Sequence, residues 1–222
     1  MEKVLVCLHT VRPLLGLFDQ LVADILPGVK LLHILDEPLL ARVRQRGRLD
    51  GEDTQRVQAH RELAEQAGAS AILVTCSSVS PCVEDVRKHP GIPIYKIDEA
   101  MIKRAIMIGG RIGVVATAET TLEPTRQQLH TEAVRLNKPI QTELVLVPDA
   151  LQSLLSGKVE DHDRRVRQVV LEISARSDVV VLAQASMARV LDVIPEAERQ
   201  VPVLSSPHLA LDYIHNHIFR ND

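Results

Sequence analysis

AILVTCSS, residues 71–78, runs from four aliphatic side chains into a threonine, a thiol and two hydroxyls. An apolar run that short reads as a strand buried on both faces, as in a parallel sheet. Similar runs recur at Val4–Leu8, Val29–Leu35, Ile92–Ile97, Ile112–Ala116, Glu143–Val147, Val179–Ala183 and Val201–Leu204. Between them lie helical patterns. Arg12–Leu26 carries Leu14, Leu15, Phe18, Leu21, Val22 and Ile25 at helical spacing. Thr54–Ala67 and Asp161–Ala175 are charge-rich with aliphatic residues every three or four positions. Strands alternating with helices give βαβ units, hence an α/β chain with doubly wound parallel sheets.

The chain also repeats. The strand ending at Cys76 resembles the one ending at Gln184, 108 residues on. Val4–Cys7 resembles Ile112–Val115 at the same offset, which pairs His9 with Thr117, and Ile-Pro-Ile at 92–94 resembles Val-Pro-Val at 201–203. Three landmarks in one order predict two pseudo-symmetric lobes: residues 1–98, residues 99–206, and a C-terminal helix at 207–222 packing back on the first. Ligands of open α/β sheets sit outside the carboxyl ends of the strands. The polar strand ends are His9-Thr10, Cys76-Ser77-Ser78, Thr117 to Thr121, and Gln184-Ala185-Ser186. They are expected to converge on a cleft between the lobes, since domain interfaces are preferred ligand sites.

Composition narrows the function classes. A net charge of −3 offers no electrostatic case for nucleic acid, and 2% aromatics without Trp removes the stacking platforms of a single-strand binder. Three cysteines without paired spacing argue against a disulfide framework and for a reducing compartment. No zinc-like Cys/His spacing, signal peptide or membrane-length apolar run is visible. A cytoplasmic protein with no metal, membrane or nucleic-acid partner is expected.

Cys76 is the candidate reactive group. Read as the start of a helix, it would have its thiolate favoured by the helix N-terminus, and free amides there would cradle a carboxylate. The competing reading is a small buried cysteine beside a capping serine. Thr117, Thr120 and Thr121 offer donors to a second anionic group, or else Thr120 or Thr121 caps the helix. Gln184 cannot act as a base, but its amide can hydrogen-bond a substrate oxyanion or satisfy its own loop. Cys7, in a strand, and Cys82, in a helix, read as core. His9 is a plausible site residue. His33 and His208 are ambiguous, and Asp36 and Glu37 either line the site or cap a helix. The run RVRQRGRLDGED, residues 42–53, reads as a solvated surface connection.

Val-Thr-Cys76-Ser-Ser, Ile-Pro-Ile-Tyr-Lys-Ile-Asp98-Glu-Ala and Gly110-Arg-Ile-Gly-Val-Val-Ala-Thr117-Ala-Glu-Thr120 together resemble the aspartate/glutamate/hydantoin racemase superfamily. The resemblance implies two α/β lobes and a cofactor-independent isomerase, a racemase or epimerase of small amino, hydroxy or di-acids. It implies two cysteines flanking the substrate's α-carbon, with Cys76 as the first. Ser77, Ser78, Thr117 and Thr120 match its carboxylate-binding positions. A homodimer or higher homo-oligomer is the family habit. The family's second motif reads like Leu-Gly-Cys-Ala-Gly-Met, whereas this chain has Leu182-Ala-Gln184-Ala-Ser186-Met187. Ser186, two residues on, is a poor substitute base. The missing thiol leaves three alternatives: a one-cysteine decarboxylase, a cis–trans isomerase of a small dicarboxylate, and a non-catalytic carboxylate-binding protein.

Overall fold

Strand β1, Val4–His9, is buried along its whole length, and so is β3, Ala71–Val74. In the computed structural model, which describes residues 2–220, these two strands lie side by side at the centre of a four-stranded sheet. The half-exposed β2, Lys30–Leu35, and the short β4, Ile94–Lys96, form its edges, giving the order β2-β1-β3-β4. All pairings are parallel. A second sheet repeats the plan. Strands β5 Arg111–Ala116, β6 Gln141–Leu146, β7 Val179–Leu182 and β8 Val203–Ser205 run parallel in the order β6-β5-β7-β8. The chain divides into two compact units. One comprises Met1–Glu99 with Pro207–Asp222, and the other Ala100–Ser206. Residues 1, 221 and 222, the last two within the expected C-terminal helix, lie outside the described residues.

The helices are α1 Leu14–Ile25, α2 Glu37–Arg46, α3 Gly51–Gln66, α4 Cys82–Val86, α5 Glu99–Ile108, α6 Glu119–Arg135, α7 Pro148–Leu155, α8 Val159–Ser174 and α9 Ser206–Ile214. A π-helical turn, His215–Phe219, follows α9. Each sheet buries its own aliphatic core. Val6, Leu8, Ile72 and Val74 pack with Val57 of α3 in the first unit, and Val115, Val180 and Leu182 pack with Val166 and Val170 of α8 in the second.

Several boundaries differ from the sequence reading. Strands β4 and β8 begin after Pro93 and Pro202, which lack the N–H a ladder needs. Strand β6 starts two residues before the expected Glu143, because Gln141 and Thr142 sit on an edge that tolerates polar side chains. The charged run 42–53 is not a simple connection. It comprises the end of α2, a turn and the start of α3. Asp50 and Asp53 form a capping box there, and Asp53 is fully buried between Arg42 and Arg46.

The ladders also correct the repeat. The carbonyls of Val4 and Arg111 accept from Ser70 and Asp178, and those of Leu8 and Val115 accept from Thr75 and Ala183. The first strands are therefore offset by 107 residues, not 108, and Thr10, rather than His9, is the counterpart of Thr117. Aliphatic strand sequences look alike at a one-residue slip, and hydrogen-bond register does not.

Candidate functional site

Leu8 lies opposite Val74 in the β1–β3 ladder, so Thr10 and Cys76 leave neighbouring strand ends together. Cys76 is partly exposed, and Thr10, Ser77 and Ser78 beside it are buried. The thiol does not open a helix. The Cys76 carbonyl accepts from the Val79 and Ser80 amides in a turn, and α4 begins only at Cys82. The expectation of a thiol lowered by a helix N-terminus is corrected accordingly. Burial pushes the Cys76 pKa above that of an ordinary thiol. The Thr10 hydroxyl, the Ser78 and Val79 amides and the Arg44 guanidinium oppose that rise without cancelling it.

Two of these opposing groups have little other employment. Thr10 is 2% exposed, and its Oγ1 has no hydrogen-bond partner of full geometry. Its contact with the thiol is loose, yet it favours the thiolate. A buried hydroxyl left so poorly paired is costly unless a ligand or water completes it. Arg44, on the exposed side of α2, makes no ion pair among the described residues. Sequence reading missed Arg44 because it sits in a charged run that looked like solvated surface. The helical spacing of Leu39, Leu40 and Val43 was the signal available.

The second unit repeats this geometry with a different occupant. Val115 lies opposite Leu182, placing Thr117 beside Gln184. Gln184 Oε1 accepts from the Thr117 amide at 2.5 Å, the Thr117 hydroxyl at 3.0 Å and the Ala118 amide at 3.2 Å. In each unit, then, a threonine hydroxyl faces the residue that follows the third strand, a thiol in one and an amide oxygen in the other. The Gln184 oxygen is spent on its own protein, as the loop-satisfying reading had it, and it takes up Thr117, one of the three threonines expected to hold a second anionic group.

The remaining candidates separate. Ala118 is the α6 N-cap and bonds through no side chain, so neither Thr120 nor Thr121 caps that helix. Thr121 is buried within the first turn. Ala185 is buried and Ser186 half-buried, both in the 3-10 segment Ala185–Val193. His9 is fully buried, with one ring nitrogen on Thr75 and the other on His33, so neither is left for a substrate. Asp36 caps α2 through the Leu39 amide at 3.1 Å, which decides between its two readings. Cys7 and Cys82 are buried, and burial raises both thiols.

No group of three or more His, Cys, Asp and Glu side chains able to hold a metal occurs among the described residues, and no helix there is long and apolar enough to cross a membrane.

Comparison with known proteins gives a consistent picture. A family model described as Asp/Glu/Hydantoin racemase matches residues 15–214. No curated protein matches the chain. Among solved structures, glutamate racemase isoform RacE1 from Bacillus anthracis superposes with a TM-score of 0.70 at 19% identity, covering 97% of this chain and 82% of that one. The aspartate racemase of Picrophilus torridus gives 0.73 at 12% identity, covering 96% and 93%. The allantoin racemase of Klebsiella pneumoniae gives 0.70 at 16% identity, covering 96% and 86%. At these identities the likeness is one of fold.

Proposed function

Because the chain belongs to the Asp/Glu/hydantoin racemase family, we propose that it is a cofactor-independent enzyme acting at the carbon α to a carboxylate, with Cys76 as its one thiol base. The substrate is a small amino, hydroxy or dicarboxylic acid. The observation that carries this is the setting of Cys76. It is a partly exposed thiol at a strand end, and Thr10 and Arg44 both favour its ionised form without being committed to other partners.

In the proposed step the Cys76 thiolate takes the α-proton. The C–H bond breaks, an S–H bond forms, and the electron pair passes into the carboxylate as an enolate. In this reading Arg44 and the Ser78 amide offset that charge. The Gln184 amide, its oxygen already bonded, has only its N–H groups left to donate to a ligand.

The occupied cradle at Thr117 and Ala118 favours a second reading. An enzyme with one thiol fits decarboxylation or cis–trans isomerisation as well as racemisation. A screen of small carboxylic acids in D2O by proton NMR tests the proposal. We expect loss of an α-proton signal with the native protein and none with Cys76→Ser. Exchange at the native rate in Cys76→Ser would remove Cys76 as the base.

A further inference from the structure

Four side chains of the first unit form a continuous hydrogen-bonded chain running inward from solvent. Asp19 of α1, with a side chain 65% exposed, meets His33 Nε2 at 3.0 Å. His33 Nδ1 meets His9 Nε2 at 2.8 Å, and His9 Nδ1 meets Thr75 Oγ1 at 2.9 Å. Thr75 Oγ1 also lies 3.0 Å from the Leu8 carbonyl. Thr75 is the residue before Cys76, and His9 is the residue before Thr10. The proposed chemistry uses neither histidine, and the inference below does not depend on that chemistry.

The donor count fixes the protons. Thr75 has one hydroxyl proton, and the Leu8 carbonyl can only accept. If Thr75 donates to Leu8, His9 Nδ1 must donate to Thr75, and a neutral His9 then accepts at Nε2. His33 must donate from Nδ1 to His9 and from Nε2 to the Asp19 carboxylate. With His9 neutral, every contact is satisfied only when His33 carries both protons, as an imidazolium paired with Asp19.

Removing one proton from His33 cannot leave the rest unchanged. Loss from Nε2 sets a lone pair against the Asp19 carboxylate. Loss from Nδ1 sets it against the His9 Nε2 lone pair at 2.8 Å. One rearrangement avoids both clashes. His33 keeps Nε2–H, His9 carries its proton on Nε2, and Thr75 turns to donate to His9 Nδ1. The Leu8 carbonyl then keeps the Thr75 amide, 3.0 Å away, as its donor.

We propose that His33 and His9 form a proton-linked switch, in which ionisation of the His33–Asp19 pair sets the tautomer of His9 and the direction of the Thr75 hydroxyl at the strand end that carries Cys76. His9 and His33 are positioning residues in this scheme. The charged and titratable groups facing them can be named. His33 faces Asp19 on α1, and His9 and Cys7 on β1, Cys7 being its register partner. His9 faces His33 and Thr75, feels Asp19, and packs on the Phe18 ring at 5.4 Å. Burial, and then the neighbouring His33, hold the His9 pKa down to about 4, which keeps His9 neutral. Burial, aided by Asp19, raises Cys7 far enough that it stays a thiol.

Nitrogen-15 NMR of the imidazole rings tests this on the full-length protein. With His33 protonated, His9 is expected as the Nδ1–H tautomer. As the His33 resonances titrate, His9 passes to the Nε2–H tautomer with the same midpoint. Asp19→Asn, a change at an exposed side chain, removes the carboxylate that favours His33 imidazolium and moves both midpoints down together. A His9 tautomer constant through the His33 titration, or a midpoint that fails to follow His33 in Asp19→Asn, would overturn the switch.

Discussion

At the residue scale, Cys76 and Gln184 are equivalent positions with opposite chemistry. A thiolate can accept a proton from carbon, whereas an amide oxygen held by two backbone N–H groups and a hydroxyl can only complete its loop. Gln184→Ala leaves those donors without an acceptor. A loss of about 1–3 kcal/mol is expected, measured by urea unfolding. On the first side, Arg44→Gln removes a cation that favours the thiolate, so the Cys76 thiol should titrate at still higher pH. The pH dependence of iodoacetamide alkylation measures it, and an unchanged profile would show that Arg44 does not reach the thiol. The position of Cys76 was legible in the sequence because a polar residue after a buried parallel strand falls where such sheets bind ligands. The rise in its pKa was not legible. It depends on where α4 begins, and the turn at residues 77–81 delays that helix beyond the thiol.

At the scale of elements, two joints hold the strand ends in place. Strand β2 passes into α2 through Asp36, which accepts from the Leu39 amide, from Arg56 at 2.5 and 2.8 Å and from His60 at 2.7 Å. Burial raises the Asp36 carboxyl, but these bonds outweigh it and bring the pKa below the usual carboxylate value. A group depressed on folding stabilises above its unfolded pKa and loses that contribution as pH falls through the folded one. Asp36→Asn should therefore cost about 1–3 kcal/mol near neutral pH, and the penalty should shrink in acid, as read by urea unfolding across pH. The second joint is the approach of α8 to β5. A Cβ on Gly113 would stand 2.8 Å from both Ile173 Cδ1 and Ser177 Oγ. Gly113→Ala should destabilise by about 1–3 kcal/mol through overpacking, seen as a lower thermal midpoint. The strands were readable because buried parallel strands are apolar throughout. Helix α2 was obscured because Arg42, Arg44 and Arg46 alternate along it and mask the Leu39, Leu40 and Val43 face.

At the scale of the molecule, one plan of four parallel strands is used twice, and the thiol that follows the third strand of one copy is an amide in the other. The duplication could be read from landmarks spaced about 108 residues apart, because each lies at a strand the core constrains. Its register could not, since side-chain resemblance tolerates a slip of one and backbone pairing does not. That slip matters for function. It gives Thr10 and Thr117 the same role, facing Cys76 and Gln184, and it leaves His9 to the chain that reaches Asp19. In the proposed reaction Cys76 is the one base, since its counterpart is Gln184. The most direct measurement starts from a single enantiomer of whichever acid responds in D2O and follows deuterium incorporation by NMR beside inversion by chiral chromatography. The account predicts that deuterium enters with retained configuration, faster than inversion, and that Cys76→Ser abolishes it. Inversion keeping pace with exchange from the first turnover would contradict a single base at Cys76.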